Sequence, residues 1–318
     1  MLLRLRSVGL KLCTWWSGVS GGLSWPPMGS RVRLSQVRRK AKEFDCRPGP
    51  RPGLPNLRIR EGNTVSIVKD FVRSRPVLYD RARSIKRMLL GPGVPSYRVL
   101  DGFSRARGGR VNFIQIGAND GLRNDPLRPF IVRDDWQGVL IEPLPTVFPL
   151  LQQHYAYLRR PGLVFVNAAV VAEDTGDLDF WTFAPEFLDA QPVEKRLDYL
   201  RKASFRRDHV AGFLPDGVEA EEVLHRIPVP QVRLEEVVGS HLPRSPLHLL
   251  AIDAEGFEST LIPGIDFSVI RPEAVFFESE HLGDARDRVF AHLEGAGYRI
   301  EQVGGDSMAV QAPDSADD

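Results

Sequence analysis

Residues able to do chemistry directly follow five short apolar segments of the chain. The apolar segments span 111–116, 138–141, 163–166, 247–252 and 274–277. The sequences after them are, in order, GANDG from Gly117, Glu142-Pro143, Asn167, DAEGFE from Asp253, and ESEH from Glu278. Carboxylates accept hydrogen bonds and bind cations, amides pair with base edges, and an imidazole moves protons near neutral pH. These sequences therefore predict a ligand site built from strand ends.

The elements that position these residues are strands alternating with helices. The five segments have strand length and are rich in Val, Ile and Phe, and helical patterns span 146–158 and 284–295. Continuous apolar strands separated by helices are typical of a parallel sheet covered on both faces. In such sheets ligands bind outside the carboxyl ends of the strands, which is where the polar residues fall.

The first three strand ends fit a nucleoside ligand. Gly117 allows close backbone approach, and Glu142 is placed to accept hydrogen bonds from both ribose hydroxyls. Asn167 is placed to bond an adenine edge. Plainer interpretations remain for each position: a tight turn at Gly117, a helix-capping acid at Glu142, and a turn-forming Asn167.

The last two strand ends are acidic. Asp253, Glu255 and Glu258 lie within six residues, and such a group needs solvent, pairing or a cation, which could be a metal, an ammonium or a sulfonium. We expect Glu258 to lie on the next helix and to face water, and we assign no metal ligands. His281 is a candidate general base, although a histidine at a strand end is often structural.

Charge is distributed unevenly along the 318 residues. The net charge is +1, but residues 1–110 carry 24 Lys and Arg against 6 Asp and Glu, and residues 111–318 carry 18 against 35. The only cysteines, Cys13 and Cys46, lie outside the acidic part, which excludes a disulfide framework or cysteine zinc site there.

The basic extension is interpreted in two pieces. Residues 1–62, with the proline-rich stretch 47–55, are expected to be a disordered or targeting leader. An alternative is that translation begins at Met28 and that residues 1–27 are not made. Residues 63–110 are expected to be helical, and their arginines either face solvent or meet phosphate on nucleic acid or lipid. We expect a cytoplasmic protein, with targeting or membrane-surface attachment as alternatives.

The acidic part resembles the FkbM-type family of S-adenosylmethionine-dependent, class I methyltransferases. The resemblance covers roughly residues 111–310, and the pieces that carry it are FIQIGANDG, LIEP, FVNAAV, ASFRRDHV, LLAIDAEGFESTLIPG and AVFFESEHL. It implies an α/β, Rossmann-like fold with a seven-stranded, mostly parallel sheet. Its last strand is inserted antiparallel through a C-terminal hairpin, here 298–303 and 307–310.

The resemblance also implies roles for individual residues. S-adenosylmethionine would be held by Gly117, Asn119, Glu142, Asn167 and Asp253. Gln115 stands where many class I enzymes have an acid, so Asp253 would have to supply the charge that faces the ammonium group of the cofactor.

The implied activity is O-methylation of a hydroxyl on a sugar or another small natural product. His281 is the expected general base, with Asp253 and Glu280 as competitors and His209 as a further candidate. Residues 184–230 form an expected lid over the acceptor, or else a surface excursion. Within them, Ser204, Phe205 and His209 are the expected substrate residues.

Two other functions stay open, and nucleic acid is not an expected partner. The domain could bind the cofactor without turnover, or the basic leader could attach a methyltransferase to nucleic acid or to a membrane surface. Whether a metal takes part is also left open.

Overall fold

The computed structural model describes residues 75–90, 94–173, 179–242 and 244–312. Within these ranges the helices are α1 Pro76–Leu90, α2 Pro95–Ala106, α3 Arg128–Arg133, α4 Phe148–Tyr155, α5 Pro185–Ala190, α6 Val193–Leu200, α7 Arg207–Ala211, α8 Ala220–Val223, α9 Leu234–His241, α10 Glu258–Gly264 and α11 Arg286–Gly295. The strands are β1 Arg110–Ile116, β2 Asp135–Ile141, β3 Leu163–Val166, β4 Ala169–Val171, β5 Phe180–Phe183, β6 Leu224–Ile227, β7 Gln231–Arg233, β8 Leu249–Ile252, β9 Ala274–Glu278, β10 Tyr298–Val303 and β11 Asp306–Gln311.

Seven strands form one sheet in the order β10-β11-β9-β8-β1-β2-β3. The five strands from β9 to β3 are parallel, and β11 pairs antiparallel with both β9 and β10. The predicted α/β fold with a C-terminal antiparallel hairpin is confirmed. This order brings the carboxyl ends of β1, β2, β3, β8 and β9 to one edge.

Helices cover both faces of this sheet, because alternate strand residues point to opposite sides. On one face, Ile114 and Ile252 pack with α9, α10 and α11. On the other face, Phe113 and Ala251 pack with α2, α3 and α4. Gln115 has the same parity as Phe113, so it belongs to the second face.

The segment 184–230 contains α5 to α8 and β6. Here β6 pairs antiparallel with β5, and Ser204 bridges to Trp181, which ties the segment into a small separate sheet. A second short sheet pairs β4 with β7. Neither small sheet was predicted, because strands of three or four residues carry little periodicity.

The helices before β1 pack against the sheet rather than forming a separate layer. Leu100 and Phe103 of α2 are buried in the core. Arg128, which is 1% exposed, forms an ion pair with Asp80 of α1 and donates to the carbonyls of Gly121 and His154. The change in charge at residue 110 therefore does not coincide with a break in the packing.

The predicted leader, residues 1–62, lies outside the described residues, as does the beginning of the helical segment 63–110. Across the part of the chain that is described, no helix combines the length and the apolar character needed to cross a bilayer.

Candidate functional site

The loop after β1 is held tightly against the neighbouring strand ends. Gly117 has φ +76°, and a Cβ there would overlap the backbone carbonyl of Asp253. The backbone N–H groups of Gly117 and Ala118 both donate to the carbonyl of Ile141, at 3.0 and 2.9 Å. Only glycine fits this close approach, which joins the ends of β1, β2 and β8.

Glu142 is fixed in one orientation by backbone donors. It is 4% exposed, and its two carboxylate oxygens accept hydrogen bonds from the N–H groups of Leu144 and Asn119, both at 2.9 Å. Burial raises the pKa of Glu142 to about 7, although these hydrogen bonds act to lower it. The nearby charges of Asp253 and Asp120 add to the rise. Each oxygen keeps a second lone pair for a ligand.

Glu142 lines a narrow, mostly apolar cavity of about 40 Å³ beside the sheet edge. Gly117, Asn119 and Asp253 form one wall, and Leu144 and Ala168 are further along it. The opposite wall comes from the segment 184–230 and includes Arg201, Ala203 and Phe205. The structure thus brings Gly117, Asn119, Glu142 and Asp253 together as the sequence predicts.

Asn167 has a different environment from the predicted one. Its side-chain nitrogen donates to the carbonyls of Glu142 and Pro143, at 2.8 and 3.1 Å, and Asn167 is absent from the cavity wall. Both amide protons are used to fix the loop that follows β2, so a contact with an adenine edge would have to use the amide oxygen of Asn167. Its neighbour Ala168 reaches the cavity instead.

Glu255 is neutralised within the chain. It is 7% exposed and has φ +49°. Its carboxylate accepts hydrogen bonds from Lys202 Nζ at 2.9 Å and from His209 Nε2 at 3.2 Å. Burial opposes ionisation here, but the hydrogen bond to His209 and the charge on Lys202 prevail, and the pKa of Glu255 is lowered. Glu255 is therefore a buried carboxylate with two hydrogen-bond donors of its own, one of them the ammonium group of Lys202.

The expectation that Glu258 faces water is wrong. Glu258 is 1% exposed at the first residue of α10, and its carboxylate accepts a hydrogen bond from the backbone N–H of Ala254. Burial, followed by the charge of Asp253, raises the pKa of Glu258 to about 8. The acid points inward because it closes the turn that starts its own helix.

Glu278, rather than Glu280, faces the site. Glu278 ends β9, and burial, followed by the charges of Asp253 and Glu258, raises its pKa to about 9. Glu280 is exposed and its carboxylate lies against Gly305 in the β10–β11 turn, outside the cavities at the sheet edge. The proposed role of Glu280 as a competing base is therefore not supported.

His281 and His209 come from distant parts of the chain and meet edge to face. Their ring centroids are 5.2 Å apart, with an interplanar angle of 70°. His281 is one-third exposed and its Nε2 lies 3.6 Å from Glu278 Oε1, whereas His209 is buried against Glu255. The two predicted base candidates thus form one pair, which His209 joins to Glu255 in the cavity wall, although neither ring is part of that wall.

The other two predicted substrate residues differ in position. Phe205 forms part of the cavity wall, with its ring 5.1 Å from Phe180 and 4.8 Å from Phe257. Ser204 is 1% exposed, exchanges backbone hydrogen bonds with Trp181, and accepts the N–H of Arg206 on its hydroxyl. Ser204 therefore shapes the loop, and its buried hydroxyl does not line the cavity.

Arg201 and Lys202 are site residues that sequence reasoning missed. Arg201 lines the cavity, and its Nε has no hydrogen-bond partner among the described residues. Burial, followed by the charge of Glu255, raises the pKa of Asp253 to about 7, while Arg201 and Lys202 act in the opposite direction. A basic pair directly before the ASFRRDHV stretch is the signal that would have found them.

A second, polar cavity of about 270 Å³ lies on the α2–α3 face of the same edge. Gln115, Asp253, Glu278 and Asp306 contribute to its wall. Carboxylate oxygens of Asp253, Glu258 and Glu278 lie within 4.8 Å of one another, which is the spacing of a cation site.

Several solved structures are similar to this chain at low sequence identity. A precorrin-6Y C5,15-methyltransferase from Geobacter metallireducens is 13% identical, with a TM-score of 0.32 over 66% of this chain and 85% of that one. An FkbM methyltransferase from Methylobacillus flagellatus is 11% identical, with a TM-score of 0.37, and the match covers 64% of this chain and 44% of that one. Fibrillarin from Aeropyrum pernix, with natively bound S-adenosyl-L-methionine, is 12% identical, with a TM-score of 0.33 over 68% and 76% of the two chains.

Sequence comparison gives the decisive match. No curated protein sequence matches the chain. The methyltransferase FkbM domain matches residues 115–300, a range that contains all five strand ends described above. Because this match extends over more than half of the 318 residues, the chain belongs to the methyltransferase FkbM domain family and is an S-adenosylmethionine-dependent methyltransferase.

Proposed function

We propose that the protein methylates a hydroxyl oxygen of a small acceptor such as a sugar or another natural product. S-adenosylmethionine supplies the methyl group on a sulfonium; the new C–O bond forms as the C–S bond breaks, and the hydroxyl proton must go to a base. The observation that carries the proposal is the histidine pair held beside the cofactor-type cavity through Glu255.

The residues around the cavity fit the cofactor. Gly117 lets the loop after β1 close against the backbone of Asp253, so that both residues line the cavity, and the carboxylate of Glu142 is already oriented by two backbone donors. A fixed acceptor of this kind suits the two hydroxyls of a ribose. Asp253 also lines the cavity and is an acid that could face a positively charged ligand group.

The size of the cavity supports a lid role for the segment 184–230. At about 40 Å³ it is far smaller than the ~300–1,000 Å³ typical of small-molecule pockets. The wall opposite Gly117 is built from residues of this segment, including Arg201 and Phe205. Cofactor entry therefore requires these side chains to move away from the sheet edge.

His281 is the proposed general base, and His209 its positioning neighbour. His281 is the more exposed ring of the pair, so an acceptor can reach it, whereas His209 is held by Glu255 and buried. An imidazole has a pKa suited to taking a hydroxyl proton near neutral pH. The edge-to-face contact fixes how the His281 ring is presented.

The test is methyl transfer from isotopically labelled S-adenosylmethionine to a library of hydroxyl-bearing sugars and natural products. We expect a methyl ether as product, and we expect His281→Ala to lower kcat by about 10²- to 10⁴-fold while cofactor affinity stays unchanged. Isothermal titration with S-adenosylmethionine measures the second quantity.

His292→Ala is the matched control, because this histidine on α11 bonds the carbonyl of Ile265 away from the site. Full activity of His281→Ala would remove it as the base. Cofactor binding without turnover on any acceptor would instead support a binding module, and a product methylated on nitrogen would overturn the O-methylation proposal.

A further inference from the structure

Four polar side chains form a row across one face of the sheet edge. Gln115 is on β1, Asp253 follows β8, Glu278 ends β9, and Asp306 begins β11 opposite Glu278 in the register. They share the parity of Phe113, Ala251, Phe276 and Met308, whose side chains pack into the core on the same face. All four line the cavity of about 270 Å³.

Three acids at this place present oxygens at cation-binding distances. Asp253, Glu258 and Glu278 each offer a carboxylate oxygen, and these oxygens lie within 4.8 Å of one another. Ligands on opposite sides of an ion with bond lengths of about 2.1–2.4 Å are roughly 4.2–4.8 Å apart, so one ion can contact all three. The geometry requires no rearrangement of the backbone.

Two buried oxygens here have no partner in the part of the chain that is described. They are Oε2 of Glu278 and Oε1 of Gln115. Gln115 is 4% exposed and stands in the cavity wall, where its amide nitrogen donates to Asp125 at 3.2 Å and leaves the amide oxygen unused. Buried polar atoms without partners are costly, and the amide oxygen is an observation independent of the acids.

Two nearby basic side chains are committed to Glu255. Lys202 bonds both oxygens of Glu255, at 2.9 and 3.1 Å, and His209 bonds the same carboxylate. His281 Nε2 is 3.6 Å from Glu278 Oε1, beyond hydrogen-bond distance. Arg83 lines the same cavity as the row, and Arg201 lines the other cavity beside Asp253.

We propose that Asp253, Glu258 and Glu278 bind one hard divalent cation, Mg²⁺ or Mn²⁺, at the boundary between the two cavities. An all-oxygen donor set selects such ions over softer metals. Asp253 lines both cavities, so an ion bound to it would lie beside the cofactor cavity.

One consequence rests on the proposed function. An ion at this position would bind the acceptor hydroxyl as a Lewis acid and make its proton easier for His281 to remove. Metal binding itself does not depend on that step, so the two are tested separately.

The experiment is titration of the full chain with MnCl₂, followed by electron paramagnetic resonance of free Mn²⁺ and by calorimetry. We expect one Mn²⁺ per chain, displaced by excess Mg²⁺. Glu278→Gln should weaken Mn²⁺ binding at least tenfold. The same charge change in Glu280→Gln should have no effect, because Glu280 is exposed and lies outside the row.

Circular dichroism and S-adenosylmethionine titration of both variants separate the possible failures. If Glu278→Gln did not fold, Asp306→Asn at the rim of the row would serve instead, with an expected loss of Mn²⁺ affinity of severalfold. Absence of Mn²⁺ binding to the wild-type chain would overturn the metal site. Equal Mn²⁺ binding by Glu278→Gln and Glu280→Gln would also overturn it. Either result would leave the proposed function standing if the cofactor still bound and methyl transfer persisted.

Discussion

The two halves of the sheet edge handle buried acids in opposite ways. Over β1 and β2, the carboxylate of Glu142 has a backbone donor on each oxygen, and the loop at Gly117 is packed without space. Over β8 and β9, Glu258 accepts a hydrogen bond from one backbone N–H and Glu278 has an unpartnered oxygen, next to a polar cavity.

Glu255 is an exception within the half over β8 and β9. It lies in the same acidic turn as Asp253 and Glu258, yet it is the acid that Lys202 and His209 bond. Its pKa is lowered, whereas the pKa values of Asp253 and Glu258 are raised by burial. Acids in one short turn can therefore have pKa values shifted in opposite directions, because the pKa depends on the bonding partners of each carboxylate and not on proximity in the sequence.

The largest effect is expected from a substitution of Gly117, in the tightly packed half over β1 and β2. We expect Gly117→Ala to lower the free energy of unfolding by about 2–5 kcal/mol, from overlap with the carbonyl of Asp253 and from the left-handed backbone. Urea denaturation measures it. Gly239→Ala within α9 is the control: its Cβ meets open space, so stability should stay equal or rise.

The next largest effect is expected from Glu142→Gln, on the binding of S-adenosylmethionine. The amide keeps the shape, but it puts a donor opposite one of the two backbone N–H groups and removes the charge that accepts from ribose. We expect affinity for S-adenosylmethionine to fall about 10- to 100-fold, corresponding to one or two charge-assisted hydrogen bonds. Calorimetry at pH 8 tests this, and wild-type affinity would remove Glu142 from the cofactor site.

A pair of substitutions of opposite sign would sharpen the comparison. Glu255→Gln should reduce the free energy of unfolding by about 1.5–3 kcal/mol, because it removes the charge that Lys202 and His209 neutralise. Glu278→Gln should raise stability at pH 8 in chelator, because the wild-type carboxyl, whose pKa is raised to about 9, must take up a proton on folding and the amide need not. Chemical denaturation of both variants under the same conditions measures the two changes in stability. A loss of stability in both variants would contradict the difference between Glu255 and Glu278.

The last prediction is a dependence of stability on pH in chelator. The folded-state pKa values of Glu258 and Glu278 are raised to about 8 and about 9, from ordinary values near 4.5. Folded protein then binds more protons than unfolded protein, so their stabilising contribution is complete below pH 4.5 and is lost as pH rises through 8 to 9. Denaturation from pH 5 to 9 should show a flatter profile in the double Gln variant, and a profile unchanged from wild type would contradict it.

Sequence patterns located the strand ends better than they located side-chain environments. Gly117 and Glu142 could be predicted because a sheet of this type needs close approach at one strand end and an acid at the next. The prediction for Glu258 was wrong, because the first residue of a helix was expected to face solvent. Glu278 was passed over for Glu280, although Glu278 shares the parity of the core residue Phe276 and Glu280 follows the end of the strand.

Contacts between distant segments were outside the reach of sequence reasoning. Lys202 meets Glu255 across 53 residues, and His209 meets His281 across more than 70. The resemblance marked His209 and His281 separately, but nothing in their spacing showed that the rings would touch. The two small sheets that fix the segment 184–230 decide this, and their strands are too short to be seen as patterns.

The ion pair between Arg128 and Asp80 has a practical meaning for anyone who trims this protein. The family match starts at residue 115, and a fragment cut there would keep the buried guanidinium of Arg128 but lose the carboxylate that neutralises it, along with Leu100 and Phe103 from the core. An uncompensated buried charge is strongly destabilising. The smallest piece expected to fold therefore begins before α1, some 40 residues upstream of the recognisable domain.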